Sequence, residues 1–545
     1  MFRGKDKVAD VHVVIVGAGI SGLTAAYKLK MKDPTLKIAV LEGKDRVGGR
    51  TETVPLVAYT GSDSWDLGGQ WVGRCQVHVT KLLKELQLKT YPQYIAGKKL
   101  MQLGQGKVHS YTSTIPRLSI LELLDLYLFM SKIEYYQKQL LVEDPYSHPK
   151  AVQWDAMSAA AFLDRTLYTS AARGTVAAAM RCVLGCELSQ VSFLYYLLYI
   201  RMAGGITQLI EATENTAQES RICGGAQQIA VRLSQHIGEE SVHLGDAAAY
   251  IQQENSKFVE VWTKGGMKFC AEYVILATPP KALEHITFNP PLSSEKVDFI
   301  KRMPMGSMIK VIVTFEKAFW RASNMSGEVV TDGGISRVHG CARRPLCITY
   351  DGTSESGCPA LIGFVGGQPA VEWGKKTAKV RQKAILDHFA FFFGEEVYSF
   401  LDYVEKDWNT EPYSWGGPVS FVSPGGMQNF CHAIQHPEGR LHFAGTETAT
   451  AWSGYMSGAV EAGERAALEV IYKLRPKSLN PEEIVLSKSS LHREKKESHE
   501  AVKRNMYGRA VNVVGAAVIT CGVATVAVYF MNKYTQWNVK LPFLS

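Results

Sequence analysis

The chain has 545 residues, 46% apolar and 21% charged, enough to bury two or more packed domains and unlike a disordered, collagenous or disulfide-stapled protein. Its 60 basic and 52 acidic residues leave a net charge of +8, modest for this length, and no basic patch with interleaved aromatics marks a nucleic-acid surface. The ten cysteines are scattered without a CxxC pair, which fits a reducing compartment, and Cys182 and Cys186 read as core thiols of one helix. The N-terminal MFRGKDKVAD lacks the apolar centre of a secretory signal.

In chain order, an apolar run (Val11, Val13 to Val16) leads into Gly17-x-Gly19-x-x-Gly22 and an alanine-rich helical stretch. A second apolar run, residues 38–41, ends at Glu42, 20 residues after Gly22. Strand, glycine turn, helix, strand and acid in that order predict a dinucleotide site. The glycines allow a tight turn, close approach of a pyrophosphate and close helix packing, and the acid can accept hydrogen bonds from a ribose. Arg46, Gly48, Gly49 and Arg50 add a second flexible, basic turn near the phosphates, which favours FAD over NAD. Gly68-Gly69, within SWDLGGQWVG, reads either as a plain turn or as backbone passing close to something flat or anionic.

Residues 79–209 read as mostly helical, with long apolar or amphipathic stretches at 118–141 and 171–200, the expected wall of a pocket. A second α/β portion follows. Gly224-Gly225 opens a helix, residues 258–263, 269–277 and 308–315 read as strands, and 379–393 as a helix. Residues 440–447 run through a strand into another glycine turn, and 458–474 read as a helix, so the nucleotide fold is assembled from separated pieces. Lys310 interrupts the apolar strand 308–315. It is either an edge lysine reaching water or a buried cation facing a cofactor.

Residues 476–509 are polar, a solvated linker or exposed helix. Residues 510–530 then give 21 positions without a charge, long enough at about 1.5 Å per residue to cross a hydrocarbon core of roughly 30 Å. Arg509 lies before it and Lys533 and Lys540 after it, so charge sets the orientation only weakly. The stretch predicts a tail anchor with the body left in the cytosol.

The motifs VIVGAGISGL, LEGKDRVGGR, DLGGQWVG, FNPPL at Phe288, MGSMIKVIV at Met305 and HFAGTETATAWSGYMSGAVEAGERAA at His442, in this order and followed by the C-terminal span, resemble the flavin-containing amine oxidases, and among them the monoamine oxidases. The resemblance implies a two-domain fold of α/β and α+β parts. A Rossmann-type FAD domain would comprise residues 1–88, 219–292 and 405–475, and a substrate domain 89–218 and 293–404, before the linker 476–509 and the transmembrane helix 510–530. It implies oxidation of an amine to an imine and then an aldehyde, with dioxygen taken to hydrogen peroxide. It also implies anchoring in the mitochondrial outer membrane with the catalytic body facing the cytosol, and a membrane-bound homodimer.

Carried over residue by residue, the resemblance puts Gly17, Gly19, Gly22 and Glu42 on the ADP half of FAD, and Arg46, Gly49 and Arg50 on the pyrophosphate and ribityl chain. Gly68 and Gly69 join the cofactor-binding set, and Ala247 falls at the adenine. Gly445 and Glu447 come from the last strand, and Gly454, Tyr455 and Met456 reach the flavin ring. Lys310 would hold a water near the reactive flavin nitrogen, Gln218 would line the substrate pocket, and Tyr455 would be one of two tyrosines that sandwich the amine. Lys310 and Tyr455 are thus the catalytic expectations.

The departure is Tyr413 to Gly426, YSWGGPVSFVSPGG, where monoamine oxidases read YSGGCY, with a cysteine bonded to the flavin and a second sandwich tyrosine. Aligning the glycines puts Pro418 on the cysteine and Val419 on the tyrosine, and an ungapped reading puts Gly417 and Pro418 there. Cys431 is too distant to substitute. The expectation is therefore a non-covalent FAD, with Phe421 or Trp415 as a substitute aromatic wall. The leading function is oxidative deamination of a primary aryl-alkyl monoamine. A polyamine oxidase would need acids along its tunnel. An amino-acid oxidase would need an arginine, and Arg201 and Arg221 read more simply as surface charges. A weakly catalytic, membrane-tethered amine-binding flavoprotein is the reading of another class.

Overall fold

The structure, a computed structural model, describes residues 8–491 apart from 105, 113–117, 254–256 and 429. Two large sheets organise it. The first runs in the order Val242–His243, Ile38–Leu41, Val8–Val16, Lys268–Leu276, Val259–Thr263, Ala248–Gln252, Thr287–Asn289. Its centre is parallel, with Val13 to Val16 in register with both Ile38 to Leu41 and Tyr273 to Leu276. Leu441–Phe443 pairs in parallel with the end of Lys268–Leu276. Strands covered on both faces read as continuous apolar runs, which is why residues 13–16 show no polar alternation. Val13 and Ile15 pack with the helices Ile20–Lys32 and Met456–Leu474, while Val14 and Val16 pack with the meander on the opposite face. The two helices cross closely at Gly463, where an added Cβ would meet the Ser21 carbonyl at 2.3 Å.

The second sheet is mostly antiparallel, in the order Phe400–Asp407, Met308–Phe315, Ala360–Gly366, Ile348–Asp351, Met325–Thr331, Lys98–Gln102, His109–Tyr111. Met308–Phe315 lies between two neighbours and all eight of its residues are buried. Lys310 is therefore not an edge residue. Strand alternation sends Ile309, Val311 and Val313 into a core beneath the helix Ala378–Phe393, and Met308 and Lys310 into the cavity described below.

Several expectations change. The strand Phe400–Asp407 crosses the expected domain boundary between residues 404 and 405. The stretch 79–209 opens inside the helix Val77–Glu85 but is not helical from 90 to 111: Thr90–Pro92, Lys98–Gln102 and His109–Tyr111 are strands, held by partners distant in sequence such as Met325–Thr331. The expected helix over 171–200 is broken into Ser170–Leu184 and Phe193–Met202. The first of these ends at Gly185, whose φ of +67° is left-handed and whose Cβ would strike the Gly417 carbonyl at 2.6 Å. Beyond Leu474 the body continues. A helix, Pro481–Leu491, packs on Met456–Leu474, adds Ile484 to the apolar cluster there and reaches Ile20–Lys32 through a Glu483–Lys32 ion pair of 2.6 Å. Among the described residues no helix is long and apolar enough to cross a membrane; residues 492–545, which include the expected span 510–530, lie outside them.

Candidate active site

A cavity of about 350 Å³ runs from the glycine turn of the first sheet to the inner face of the second, within the usual range of roughly 300–1,000 Å³ for ligand pockets. At one end Gly17, with φ +105°, turns the chain beside the Ala277 carbonyl, 2.9 Å from where a Cβ would stand. A Cβ on Gly22 would lie 2.0 Å from the Gly17 carbonyl, so the helix packs on the turn only because this residue is glycine. Around a Cβ on Gly19, by contrast, there is no protein atom within 4 Å, and Gly19 lines the cavity. That is the cradle a pyrophosphate needs.

Glu42 is buried, and its carboxylate accepts hydrogen bonds from the Ala18 and Lys44 amides at 2.8 and 3.0 Å. Two bonds leave lone-pair capacity for a ribose hydroxyl. Gly49 and Arg50 line the cavity, but Arg46 does not. Its guanidinium donates to the Thr51 carbonyl at 3.0 Å and to Glu52 at 2.8 Å, so it braces the turn from behind. Glu447 is likewise withdrawn. Fully buried, it grips Arg50 with both oxygens at 2.6 and 3.0 Å and fixes that cation towards the cavity. Gly445, also outside the lining, packs on the Thr278 carbonyl, 2.6 Å from a would-be Cβ. Ala247 lines the cavity and accepts the Lys264 amide at 2.8 Å.

The helices beginning at Ile20 and Met456 open onto this space with no side chain capping either. Each uncapped start carries roughly half a positive charge and free N–H groups, which would suit the anionic parts of a bound cofactor. With the Gly19 cradle and the oriented Arg50, these residues fit a bound FAD.

Further along, Gly68 and Gly69 line the cavity, and a Cβ on Gly68 would strike the Arg50 carbonyl at 2.1 Å. Lys310, 2% exposed, donates to the Gly68 carbonyl at 2.9 Å and to Gln70 Oε1 at 2.5 Å. Burial lowers its pKa to about 7, with Asp66 opposing the shift and Arg221 adding to it. Beside it stand aromatic groups that sequence reading did not single out. Trp71 lies edge-on to Tyr350 (4.9 Å between centroids) and tilted against Phe364 (5.7 Å), and the Lys310 ammonium sits 5.4 Å over Phe364.

Tyr455 and Met456 also line the cavity. Trp452 packs edge-on to Tyr455 at 5.2 Å from outside the lining, and the cavity-lining ring beside Tyr455 is Tyr199, tilted at 6.5 Å and 37°, from the buried helix Phe193–Met202. Nothing in the run YYLLYI distinguishes Tyr199 from its core neighbours. Val419 lines the cavity, pressed against Gly454, whose φ of +84° and missing side chain leave room for it. Neither substitute wall lies opposite Tyr455. Ser420 bridges Met305 and the Phe421 amide donates to the Pro304 carbonyl at 3.0 Å, which carries Phe421 into the helical core away from the lining. Trp415 does line the cavity, stacked on His285 at 4.1 Å in the part shared with Ala247.

Gln218 lines the cavity, donates to the Leu209 carbonyl at 3.2 Å and leaves its buried Oε1 without a partner. Cys186 is buried, but Cys182 lines the cavity, its sulfur 3.6 Å from that of Cys347. Arg201 is exposed. Arg221 is not a surface charge: it is 4% exposed, donates to the Gly352 and Thr353 carbonyls, and stacks 4.8 Å over Tyr91.

Residues 20–471 match the flavin-containing amine oxidoreductase family. The chain is 35% identical over 465 residues to the probable flavin-containing monoamine oxidase A of Dictyostelium discoideum, covering 85% of its own length and 98% of that protein. With the flavin-containing amine oxidase B of Homo sapiens it shares 35% over 467 residues, 85% of this chain and 86% of that one. Among solved structures, putrescine oxidase bound to putrescine is similar with a TM-score of 0.78 at 28% identity, over 85% of this chain and 99% of that one. Cyclohexylamine oxidase from Brevibacterium oxydans gives 0.78 at 28% identity, over 86% and 100%. The chain belongs to the flavin-containing amine oxidoreductases and has their two-domain α/β fold. It is an FAD-dependent amine oxidase that deaminates amines oxidatively.

Proposed function

We propose that the substrate is an apolar primary monoamine of the aryl-alkyl type, oxidised to its imine and then the aldehyde, with dioxygen reduced to hydrogen peroxide. The observation that carries this reading is the charge of the cavity wall. Among the described lining residues the one carboxylate is Glu42, at the glycine turn, and the wall near Lys310 is Trp71, Tyr350 and Phe364. A diamine would leave its distal ammonium there without an anion, at a large desolvation cost.

When bound, FAD supplies a hydride acceptor for the amine Cα–H and returns the electrons to dioxygen. Gly17, Gly19, Gly22, Glu42, Gly49, Arg50, Gly68, Gly69, Ala247, Gly454 and Met456 would hold it, with Arg46, Gly445 and Glu447 behind them. No strong side-chain base is needed. Gln218 Oε1 would accept an amine N–H, while Tyr455 and Tyr199 exclude water and orient the neutral amine. Lys310 would offer a cation to developing negative charge on dioxygen. Pro418 and Val419 offer no thiol, so we hold the FAD to be non-covalent: acid precipitation should leave a yellow supernatant, and flavin kept in the pellet would refute it.

We further propose that residues 510–530 anchor the protein in the mitochondrial outer membrane, with the body in the cytosol and the protein dimeric there, on the strength of the uncharged stretch and the resemblance to monoamine oxidases. A chain ending at Leu491, which retains the docked helix, should be released by carbonate, and retention in the membrane pellet would count against the anchor. For the substrate, a peroxide assay with purified protein should respond to aryl-alkyl amines above diamines, polyamines and amino acids. A preference for diamines would favour the polyamine reading, and silence towards every amine the weakly catalytic one.

A further inference from the structure

Behind Lys310 lies a second, polar pocket of about 90 Å³. It runs from exposed Ser64, Gly224, Glu355 and Ser356 down to buried Asp66, Gln70 and Arg221, and Gln70 lines both this pocket and the main cavity. Two buried donors border it without partners, Gln70 Nε2 and Arg221 Nε, on side chains 3% and 4% exposed. Orphaned buried donors are costly, and a polar pocket of this size has room for the waters that would satisfy them. Asp66 is 7% exposed and accepts from the Thr53 hydroxyl at 2.7 Å and the Ala226 amide at 2.8 Å, both at Oδ1. Burial raises its pKa, and Lys310 opposes that rise.

We propose that this pocket is a hydrated site that sets the charge of Lys310, with Asp66 as its positioning residue and Gln70 as the joint to the main cavity. The proposal rests on the reading above that Lys310 faces the flavin. A cation there favours electron transfer to dioxygen, so the groups that fix its charge fix the pH range of reoxidation. Those groups are few. Asp66 attracts the ammonium and Arg221 repels it, while Asp63, Tyr91 and Glu355 line the outer pocket. Lys406, opposite Lys310 on the next strand, spends its ammonium on Glu52 (3.0 Å) and Glu411 (2.5 Å). With Lys310 charged below about pH 7 and neutral above it, reoxidation should fall as pH rises through that value.

The test is a pH titration of the flavin's visible absorbance in the holoenzyme without substrate, which reads charge beside the ring, together with the pH profile of reoxidation by dioxygen. Asp66→Asn should move both inflections down by about one unit or more. Gln70→Glu, which adds a carboxylate beside the ammonium, should move them up. Shifts that are absent, or of the same sign, would overturn the proposal. Lys310→Met separates it from the reading it rests on. If Lys310→Met abolishes the inflection while Asp66→Asn and Gln70→Glu leave it in place, only the pocket's role fails. If Lys310→Met keeps both the inflection and the wild-type reoxidation rate, the assignment of Lys310 itself fails.

Discussion

At its nucleotide end the cavity is made largely by one continuous segment, in which strand, glycine turn, helix, strand and Glu42 follow each other and contact each other. The other end is gathered from five separated places: Trp71, Tyr199, Lys310, the pair Tyr350 and Phe364 on adjacent strands, and Tyr455. The first end is held by backbone contacts that admit no side chain, the second by packed rings and a buried cation. Substitutions at the first should therefore remove the cofactor, and substitutions at the second should spare it and alter the chemistry.

The largest effect should come from Gly22→Val. With a Cβ due 2.0 Å from the Gly17 carbonyl the turn must move; overpacking of this kind typically costs about 1–3 kcal/mol, and flavin absorbance per protein should fall close to zero. Lys310→Met should bind FAD normally and be reduced by amine at nearly the wild-type rate. Its reoxidation by dioxygen should slow by about a hundredfold, as for loss of a preorganised charge at a reacting centre. Loss of FAD instead would erase the proposed division between the two ends.

Glu42→Ala leaves the Ala18 and Lys44 amides without their acceptor. Bonds to a charged group are worth about 1.5–3 kcal/mol each, so FAD should bind at least tenfold more weakly by equilibrium dialysis and the purified protein should be largely apo. Smallest should be Gln218→Leu. One hydrogen bond of roughly 0.5–1.5 kcal/mol is lost, raising KM up to about tenfold with kcat little changed; a fall in kcat at constant KM would mean that Gln218 acts on the transition state instead.

The same contrast decides what could be read from the chain. The glycine turn, Glu42 and the strands at 259–263, 268–276 and 308–315 are legible because their patterning is local. Lys310 is legible only as an anomaly: its strand could be an edge or a centre until the neighbours on both sides are known. Tyr199 sits in the fully buried run 193–200, where every ring reads as core, and Phe421 leaves the lining because its backbone bond to Pro304, more than a hundred residues away, carries it into the helical core. The strands at 90–92, 98–102 and 109–111 are short and depend on distant partners, so a helical surrounding hid them. Arg46 and Glu447 carry charges in the right motifs, but sequence cannot say which guanidinium faces the ligand and which carboxylate stands behind it.

The central claim is that the far wall suits an apolar monoamine, and its most direct test is an anaerobic titration of the holoenzyme with single amines, following the flavin absorbance. An aryl-alkyl monoamine should bleach the flavin in one turnover, well ahead of a diamine of similar length. Faster bleaching by the diamine, or no bleaching by any amine, would contradict the account.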